Sequence, residues 1–151
     1  MVNLKDKLLS RIQANFPLSP APYKDLAEEF DVTEDDIINA ISELKMQGLI
    51  RRIGASIDSR KAGYVSTLVG CKVQPDKLAE VAKEVGKNPG VTHAYERADA
   101  INFWFTLIEK DKAKLEEAID EYSRLPGIEE LYSLPAEKVY KIDVRFNVSN
   151  E

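Results

Sequence analysis

The chain has 151 residues, of which 44% are hydrophobic and 31% charged, enough for one domain or two small ones with a real core. Its net charge of −5 argues weakly against nucleic acid as a partner, because DNA-binding domains usually carry a basic surface. The N-terminus is too polar for a signal peptide, and no run approaches membrane-spanning length. The single cysteine, Cys71, allows no internal disulfide and, within an apolar strand-like run, is expected to be a small buried residue. These features predict a soluble, cytoplasmic protein with no membrane partner.

The first third of the sequence predicts a helix-turn-helix. Apolar residues at helical spacing predict one helix that ends before Phe16-Pro17 and a second over residues 23–30. Thr33 and Asp36 have the spacing of a capping box in front of a third helix, which is expected to end at Gly48. The residues expected on the buried face of this third helix are Ile37, Ala40, Ile41 and Leu44.

Two short strand-like pieces, residues 49–53 and 55–57, predict a wing that completes a winged helix-turn-helix domain over residues 1–60. Winged helices usually bind DNA, but the third helix opens with Glu34, Asp35 and Asp36. Residues 1–60 together hold eight basic and ten acidic side chains. Acids near phosphates oppose the counterion release that dominates DNA affinity. We therefore interpret the module as a scaffold that does not bind DNA.

The second half carries an internal repeat with a period of 37 residues, in which Pro89-Gly90-Val91 corresponds to Pro126-Gly127-Ile128 and Tyr95 to Tyr132. Each copy predicts a strand, an amphipathic helix, a Pro-Gly turn and a second strand. Two such units form a ferredoxin-like, or split βαβ, antiparallel sandwich. The predicted fold class is therefore α+β, with this second domain over residues 61–151. A final alternating run is expected to extend or close the sheet: Tyr140, Ile142, Val144 and Phe146.

The most informative stretch is a predicted β-hairpin that holds the only histidine and the only tryptophan of the sequence. Strand alternation places His93, Tyr95 and Arg97 on one face, ahead of the connection Ala98-Asp99-Ala100. In the second strand the residues expected to face the core are Ile101, Phe103, Phe105 and Leu107, and those expected on the opposite face are Asn102, Trp104 and Thr106. Packing alone poorly explains a face with imidazole, phenol, guanidinium, amide and indole groups. This face is the predicted site.

The predicted architecture resembles the Lrp/AsnC proteins, and the detailed motifs are similar to one branch of them, the siroheme decarboxylase subunits. The specific part is the His-x-Tyr-x-Arg hairpin followed by Asn102-Phe103-Trp104-Phe105-Thr106, since regulators share the helix-turn-helix pieces. Members of this branch commonly carry a second His and a Tyr in the hairpin turn, where this chain has Asp99 and Ile101. That departure is consistent with a subunit that depends on its partner for one ligand or proton donor. The other matching stretches span nearly the whole chain: Phe16-Pro17-Leu18, Pro22-Tyr23, Ile50-Arg51-Arg52-Ile53-Gly54-Ala55, Arg60-Lys61-Ala62-Gly63-Tyr64, Ser66-Thr67-Leu68-Val69, Pro89-Gly90-Val91-Thr92 and Leu134-Pro135.

The resemblance implies that the substrate is siroheme, an iron tetrapyrrole with many carboxylates. It implies a carbon-carbon lyase that removes CO2 from two acetate side chains, giving didecarboxysiroheme in alternative haem or haem d1 biosynthesis. The enzyme would act as a heterodimer with a homologous subunit or as a homodimer, with no cofactor beyond the iron tetrapyrrole substrate. The alternative is an Lrp/AsnC-type transcriptional regulator that binds a small effector. A non-catalytic tetrapyrrole-binding partner is a third reading.

Three residues carry the implied catalysis: His93, Arg97 and Tyr95. His93 either donates a proton or is an axial ligand of the siroheme iron, against the alternative of a structural histidine. Arg97 either holds a substrate carboxylate with two parallel hydrogen bonds or forms a surface salt bridge. Tyr95 and Trp104 are expected to stack on or border the macrocycle. The alternative for Trp104 is an indole buried at a dimer interface, where aromatic residues are enriched.

The expected substrate-binding residues are Arg51, Arg52, Arg60, Lys61, Tyr64, Asn102 and Trp104. The first four form the one dense basic cluster of an acidic chain, which suits the rim of an anionic pocket between the domains. For Arg51 and Arg52 the alternative is inheritance from a DNA-binding ancestor. Asn102 is expected to orient a propionate or His93, or else merely to flank the turn. The sequence contains no zinc-type Cys/His cluster, glycine-rich phosphate loop or nucleophile motif, which argues against metal-dependent hydrolysis and phosphoryl transfer.

Overall fold

The computed structural model of the protein describes residues 3–141 and residue 146, and the chain forms two compact units. A helical unit takes the described residues up to Ala55 together with those from Lys141 onward, and a sheet unit runs from Ser56 to Tyr140. Within the described residues, no helix is long and apolar enough to cross a bilayer.

The helical unit confirms the predicted helix-turn-helix. Thr33 caps the third helix in a reciprocal capping box: its hydroxyl accepts from the backbone N–H of Asp36, and the Asp36 carboxylate accepts from the backbone N–H of Thr33. Hydrogen bonds from the Thr33 side chain and backbone lower the pKa of Asp36. The four residues expected on the inner face of this helix are all buried. The helices are α1 (Leu4–Ala14), α2 (Pro22–Phe30) and α3 (Glu34–Met46).

The predicted wing strands are not formed. Residues 50–58 contain no strand, so this part of the prediction is wrong. Ile50 is buried in the core of the helical unit, but Ile57 is 78% exposed. Two short strands without a buried face gain too little from burial to be stable, which explains why the β-propensity of this segment does not produce a ribbon.

The sheet unit has the predicted ferredoxin-like fold. Its elements in chain order are β1 (Val65–Val73), α4 (Leu78–Val85), β2 (Val91–Glu96), β3 (Phe103–Glu109), α5 (Lys112–Ser123) and β4 (Ile128–Leu134). The four strands are all antiparallel and lie in the order β2-β3-β1-β4. The two helices α4 and α5 cover one face, where Val81 and Tyr122 pack with Val69, Phe103 and Phe105 from the central strands.

The other face of the sheet, which we call the open face, is not covered by a helix of this unit. On it, Leu68 lies opposite Thr106 and Gly70 opposite Trp104, since these residues alternate with the buried ones on β1 and β3. The same register brings four further side chains to the open face: His93, Tyr95, Tyr132 and Leu134.

Two further predictions concern residues outside the site. Cys71 is fully buried on β1, and this burial raises the pKa of its thiol to about 12, so the thiol stays protonated and acts as a small apolar group. The alternating run predicted to close the sheet includes Ile142 and Val144, which lie outside the described residues. That prediction therefore stays a prediction.

Candidate active site

A β-bulge in β2 decides which side chains reach the open face. Val91 lies opposite Leu107 and packs on the helix-covered core, but the register then shifts, so that His93 lies opposite Thr106 and Tyr95 opposite Trp104. Without the shift, His93 and Tyr95 would share the face of Val91, because residues two apart in a strand point the same way. The extra residue at Thr92 therefore turns the imidazole and the phenol to the open face.

A cavity of about 460 Å³ opens on this face. This volume lies within the range of small-molecule sites, which is roughly 300–1,000 Å³. The sequence-predicted residues His93, Tyr95, Arg97 and Trp104 all line it, so the fold brings these four together. The complete lining consists of Leu68, His93, Tyr95, Arg97, Asp99, Ile101, Trp104, Phe105 and Thr106.

His93 and Tyr95 present two nearly parallel rings to the cavity. Their ring centroids are 6.3 Å apart with an interplanar angle of 21°. The His93 ring also forms a 3.0 Å hydrogen bond between its Nδ1 and the Thr92 hydroxyl. Because Nδ1 is occupied by a neighbour on the same strand, Nε2 is the ring nitrogen that remains for a ligand.

Trp104 lies across the centre of the sheet because its neighbour on β1 is a glycine. A Cβ on Gly70 would come within 2.9 Å of two indole carbons of Trp104 and within 3.0 Å of Cγ2 of Ile101. The indole Nε1–H donates a 2.8 Å hydrogen bond to the carbonyl of Ile101. The indole is therefore held at both ends, by the bare backbone of Gly70 and by the hairpin connection.

The hairpin connection places one cation and one anion at the cavity. The backbone N–H of Arg97 donates to the carbonyl of Asn102 over 2.8 Å and closes the connection, while the Asp99 carboxylate accepts from the backbone N–H of Ala100. Across the part of the chain that the structure describes, the Arg97 guanidinium has no ion pair with a carboxylate. The salt bridge considered for Arg97 is thus not formed there, and the guanidinium is free to bind an anion.

Two hairpin residues differ from their predicted placement. The Asn102 amide accepts from the backbone N–H of Val73 and donates to the carbonyl of Val73, each over 2.8 Å. It joins the ends of β1 and β3 and does not line the cavity, so its geometry favours the structural alternative. Ile101, expected to face the core, instead lines the cavity, because β3 begins only at Phe103 and alternation does not extend into the connection.

The predicted basic residues of the sheet unit, Arg60 and Lys61, do not line this cavity. Arg51 and Arg52 are exposed residues of the helical unit; in the sheet unit, the backbone N–H groups of Arg60 and Lys61 donate to the Asp58 carboxylate in the loop before β1. Tyr64, also exposed, precedes β1 and is absent from the cavity lining as well. A substrate-binding role for these five residues stays a prediction.

Five residues outside the predicted set of site residues also line the cavity: Leu68, Asp99, Ile101, Phe105 and Thr106. The sequence did indicate Thr106, since strand alternation already placed it on the same face as Trp104. Leu68 had no such signal, because it reaches the cavity only through the pairing of β1 with β3, and this register is not readable from β1 alone.

A helix-turn-helix followed by a ferredoxin-like domain with an open sheet face defines a protein of the Lrp/AsnC class. Residues 61–141 match the AsnC-like ligand binding domain, and residues 5–51 match the siroheme decarboxylase NirDL-like HTH domain. The fold of E. coli AsnC is similar, with a TM-score of 0.79 at 17% identity over 95% of this chain and 97% of that one. This last likeness concerns the fold alone.

Sequence similarity narrows the class. The chain is 39% identical to the siroheme decarboxylase alpha subunit of Desulfovibrio desulfuricans over 100% of its own length and 87% of the relative. It is 34% identical to the crystal structure of the siroheme decarboxylase NirDL, with a TM-score of 0.72 over 95% of this chain and 47% of that one. NirDL is also known in co-complex with an iron-uroporphyrin III analogue, with a TM-score of 0.70 over 94% of this chain and 48% of that one. The chain belongs to the siroheme decarboxylase family.

Proposed function

We propose that the chain is a subunit of a siroheme decarboxylase that removes CO2 from two acetate side chains of siroheme, giving didecarboxysiroheme in alternative haem or haem d1 biosynthesis. The observation that carries the proposal is the convergence of His93, Tyr95, Arg97 and Trp104 on one cavity. The co-complex of NirDL with an iron-uroporphyrin III analogue supports an iron tetrapyrrole as the ligand.

The proposed reaction is a carbon-carbon lyase reaction that is neutral in electrons. In each acetate the bond between the methylene carbon and the carboxylate carbon breaks, and CO2 leaves. The electron pair remains on the methylene carbon, where conjugation with the macrocycle stabilises it, and one added proton completes the methyl group. No cofactor beyond the iron tetrapyrrole substrate is needed for this balance. The protein must bind the carboxylates that do not react, hold the substrate in the reactive orientation and supply the proton.

His93 and Arg97 match two of these tasks. The free Nε2 of His93 serves either as the proton donor or as an axial ligand of the substrate iron, because Nδ1 is already hydrogen-bonded to Thr92. The guanidinium of Arg97 presents two parallel N–H donors to a carboxylate. Tyr95 adds a second proton-bearing group beside the imidazole, so it is the third proposed catalytic residue.

The aromatic side chains suit a flat macrocycle. Trp104 is fixed against Gly70 and the Ile101 carbonyl before any ligand arrives, so little side-chain freedom is lost on binding. Tyr95, directly opposite Trp104 on β2, extends the same aromatic surface. This preformed surface supports stacking on, or contact with the edge of, the tetrapyrrole.

We propose that the functional unit contains a second, homologous subunit or a second copy of this chain, joined through the ferredoxin-like domains. The open face carries large apolar side chains that remain exposed: Leu68, which lines the cavity, and Tyr132 and Leu134, which lie outside it, are 43%, 46% and 48% exposed. Such residues are enriched in protein interfaces. The chain spans about half the length of NirDL, which leaves room there for a second domain pair, and the Desulfovibrio relative is itself described as an alpha subunit.

The regulator alternative makes a different prediction. The acidic first turn of α3, with Glu34, Asp35 and Asp36, is exposed at the position from which a recognition helix would approach DNA. We expect no sequence-dependent duplex binding at physiological salt in a fluorescence-anisotropy titration. Sub-micromolar, sequence-dependent binding would instead establish the regulator. The proposed compartment is the cytoplasm, which matches a chain whose one cysteine is a free thiol.

The decisive experiment incubates the purified chain with siroheme under reducing conditions, with and without a homologous subunit. Mass spectrometry of the extracted tetrapyrrole is expected to show successive loss of two CO2 units. Activity that appears only with the partner supports a composite site. A substrate that keeps its mass in both incubations, although it binds, supports the non-catalytic tetrapyrrole-binding reading.

A further inference from the structure

Thr92 has two structural roles at the same point of β2. It is the extra residue of the bulge that turns His93 to the open face, and its hydroxyl lies 3.0 Å from Nδ1 of the His93 ring. His93 is exposed on an edge strand, where few neighbours restrict its rotamer. The Thr92 hydroxyl and the Tyr95 ring are the two contacts described for the imidazole, and the hydroxyl alone distinguishes one ring nitrogen from the other.

We propose that Thr92 is a positioning residue for His93: its hydroxyl accepts a hydrogen bond from Nδ1–H and thereby leaves Nε2 as the nitrogen that acts on the substrate. The catalytic part of this inference rests on the proposed function. Thr92 itself touches no reacting atom and is not in the cavity lining.

Both candidate roles of His93 need this same arrangement. As an axial ligand, a neutral imidazole uses the Nε2 lone pair and keeps its proton on Nδ1, where ligating histidines usually donate to a nearby acceptor. As a proton donor, an imidazolium that releases the Nε2 proton is left with its remaining proton on Nδ1. In each case the neutral ring is the Nδ1–H tautomer, which the Thr92 hydroxyl stabilises as an acceptor.

The chain offers a direct readout, because His93 is its only histidine. In untagged, ¹⁵N-labelled protein at about pH 9, where an ordinary imidazole is neutral, the ring nitrogen shifts report the tautomer ratio without assignment. We expect the Nδ1–H form to be enriched over free histidine in the parent and in Thr92→Ser, which keeps the hydroxyl. We expect Thr92→Val, which keeps the branched shape but loses the hydroxyl, to return to the free-histidine ratio.

A parent ratio equal to that of free histidine, or an enrichment that survives in Thr92→Val, overturns the proposal. These measurements need no tetrapyrrole, so they stand apart from the proposed function. In the second arm, turnover of siroheme with the partner subunit present is expected to fall roughly 10- to 100-fold in Thr92→Val, the usual effect of losing a residue that orients a ligating or catalytic histidine. Thr92→Ser is expected to recover most of it.

The tautomer measurement and the turnover measurement together distinguish a failure of the positioning role from a failure of the proposed function. An enriched Nδ1–H tautomer in a parent chain that never converts siroheme contradicts the proposed function and leaves the positioning of His93 standing. Full turnover in Thr92→Val, beside an active parent, contradicts the positioning role even if the tautomer ratio changes.

Discussion

Tyr95 and Tyr132 occupy corresponding positions in the two sequence repeats, and both side chains lie on the open face of the sheet, but their surroundings differ. The Tyr95 ring stacks near His93 and borders the cavity. The Tyr132 hydroxyl donates a hydrogen bond to Glu130, which also pairs with Lys72. The repeat has thus preserved a strand position and changed the chemistry around it.

The neighbours of each tyrosine explain why the described cavity lies on one side. At a period of 37 residues, His93 corresponds to Glu130, and on the adjacent central strand Trp104 lies opposite Tyr95 while Gly70 lies opposite Tyr132. One half of the face therefore has an imidazole and a fixed indole. The other half has a carboxylate already satisfied by a phenol and an ammonium. A duplicated backbone does not by itself create a functional site. The side chains must also converge on one cavity and keep hydrogen-bonding capacity for a ligand.

The largest expected effect on decarboxylation comes from replacing His93, with its counterpart in the second repeat, Glu130, as the control. With the partner subunit present, His93→Ala should lower decarboxylation by about 10²–10⁴-fold, the usual contribution of a general acid, while Glu130→Ala leaves it unchanged. The assay is mass loss from siroheme. If His93 ligates iron, the absorption bands of the bound siroheme shift in His93→Ala; if it donates a proton, the bands stay and turnover falls. An active His93→Ala with unchanged spectra would move the catalytic group to the partner.

Arg97 is expected to show the next largest effect. Arg97→Ala removes a charge-assisted contact of about 1.5–3 kcal/mol, so the dissociation constant of iron uroporphyrin III should rise about 10- to 100-fold. Arg97→Lys keeps the charge but loses the planar pair of donors, and should lie between Arg97→Ala and the parent. Absorption titrations measure both. If both variants titrate like the parent, Arg97 is a surface residue.

A substitution at Gly70, in the half of the open face that holds Tyr132, tests how the Trp104 indole is kept in place. In Gly70→Ala the Trp104 indole must move, since the new Cβ would lie 2.9 Å from two of its carbons. We expect the emission of Trp104, the sole tryptophan, to become more accessible to acrylamide and the affinity for iron uroporphyrin III to fall several-fold. Gly54→Ala is the matched control, because a Cβ there meets nothing within 4 Å. Identical quenching in both variants would show that the indole is not held by Gly70.

The smallest effect concerns acid stability. The hydrogen bond from Tyr132, with a lesser contribution from Lys72, lowers the pKa of Glu130, so this carboxylate stabilises the fold above its unfolded pKa and loses that contribution as the pH falls through its folded pKa. Tyr132→Phe should therefore make stability fall slightly less steeply between about pH 5 and pH 3. Urea unfolding midpoints test this against Tyr95→Phe, for which no such change is expected. Equal slopes in the two variants would mean that the Tyr132–Glu130 contact does not persist in solution.

The sequence predicted those parts of the fold that depend on local chemistry or on repetition. The spacing of Thr33 and Asp36 predicted the capping box, and the 37-residue repeat predicted the ferredoxin-like succession of strands and helices in the sheet unit. It misjudged features that depend on nonlocal pairing. Residues 49–57 have strand propensity but no partner strand among the residues that the structure describes. The two roles left open for Asn102 are likewise distinguished only by its contact with Val73 on another strand. The hairpin site was predicted because unusual side chains were concentrated within a few positions.

The bulge at Thr92 has a consequence for how such a site can arise or disappear. If Thr92 paired with Thr106 in a regular ladder, every functional side chain would remain in the sequence, yet His93 and Tyr95 would lie opposite Phe105 and Phe103 on the helix-covered face. A slip of the strand pairing by one residue, with no substitution at all, thus exchanges a reactive surface for a poorly packed core. Loss of Thr92 would instead close the bulge and leave His93 opposite Thr106, so the face that the imidazole occupies is decided by how the two strands pair and not by the length of the segment.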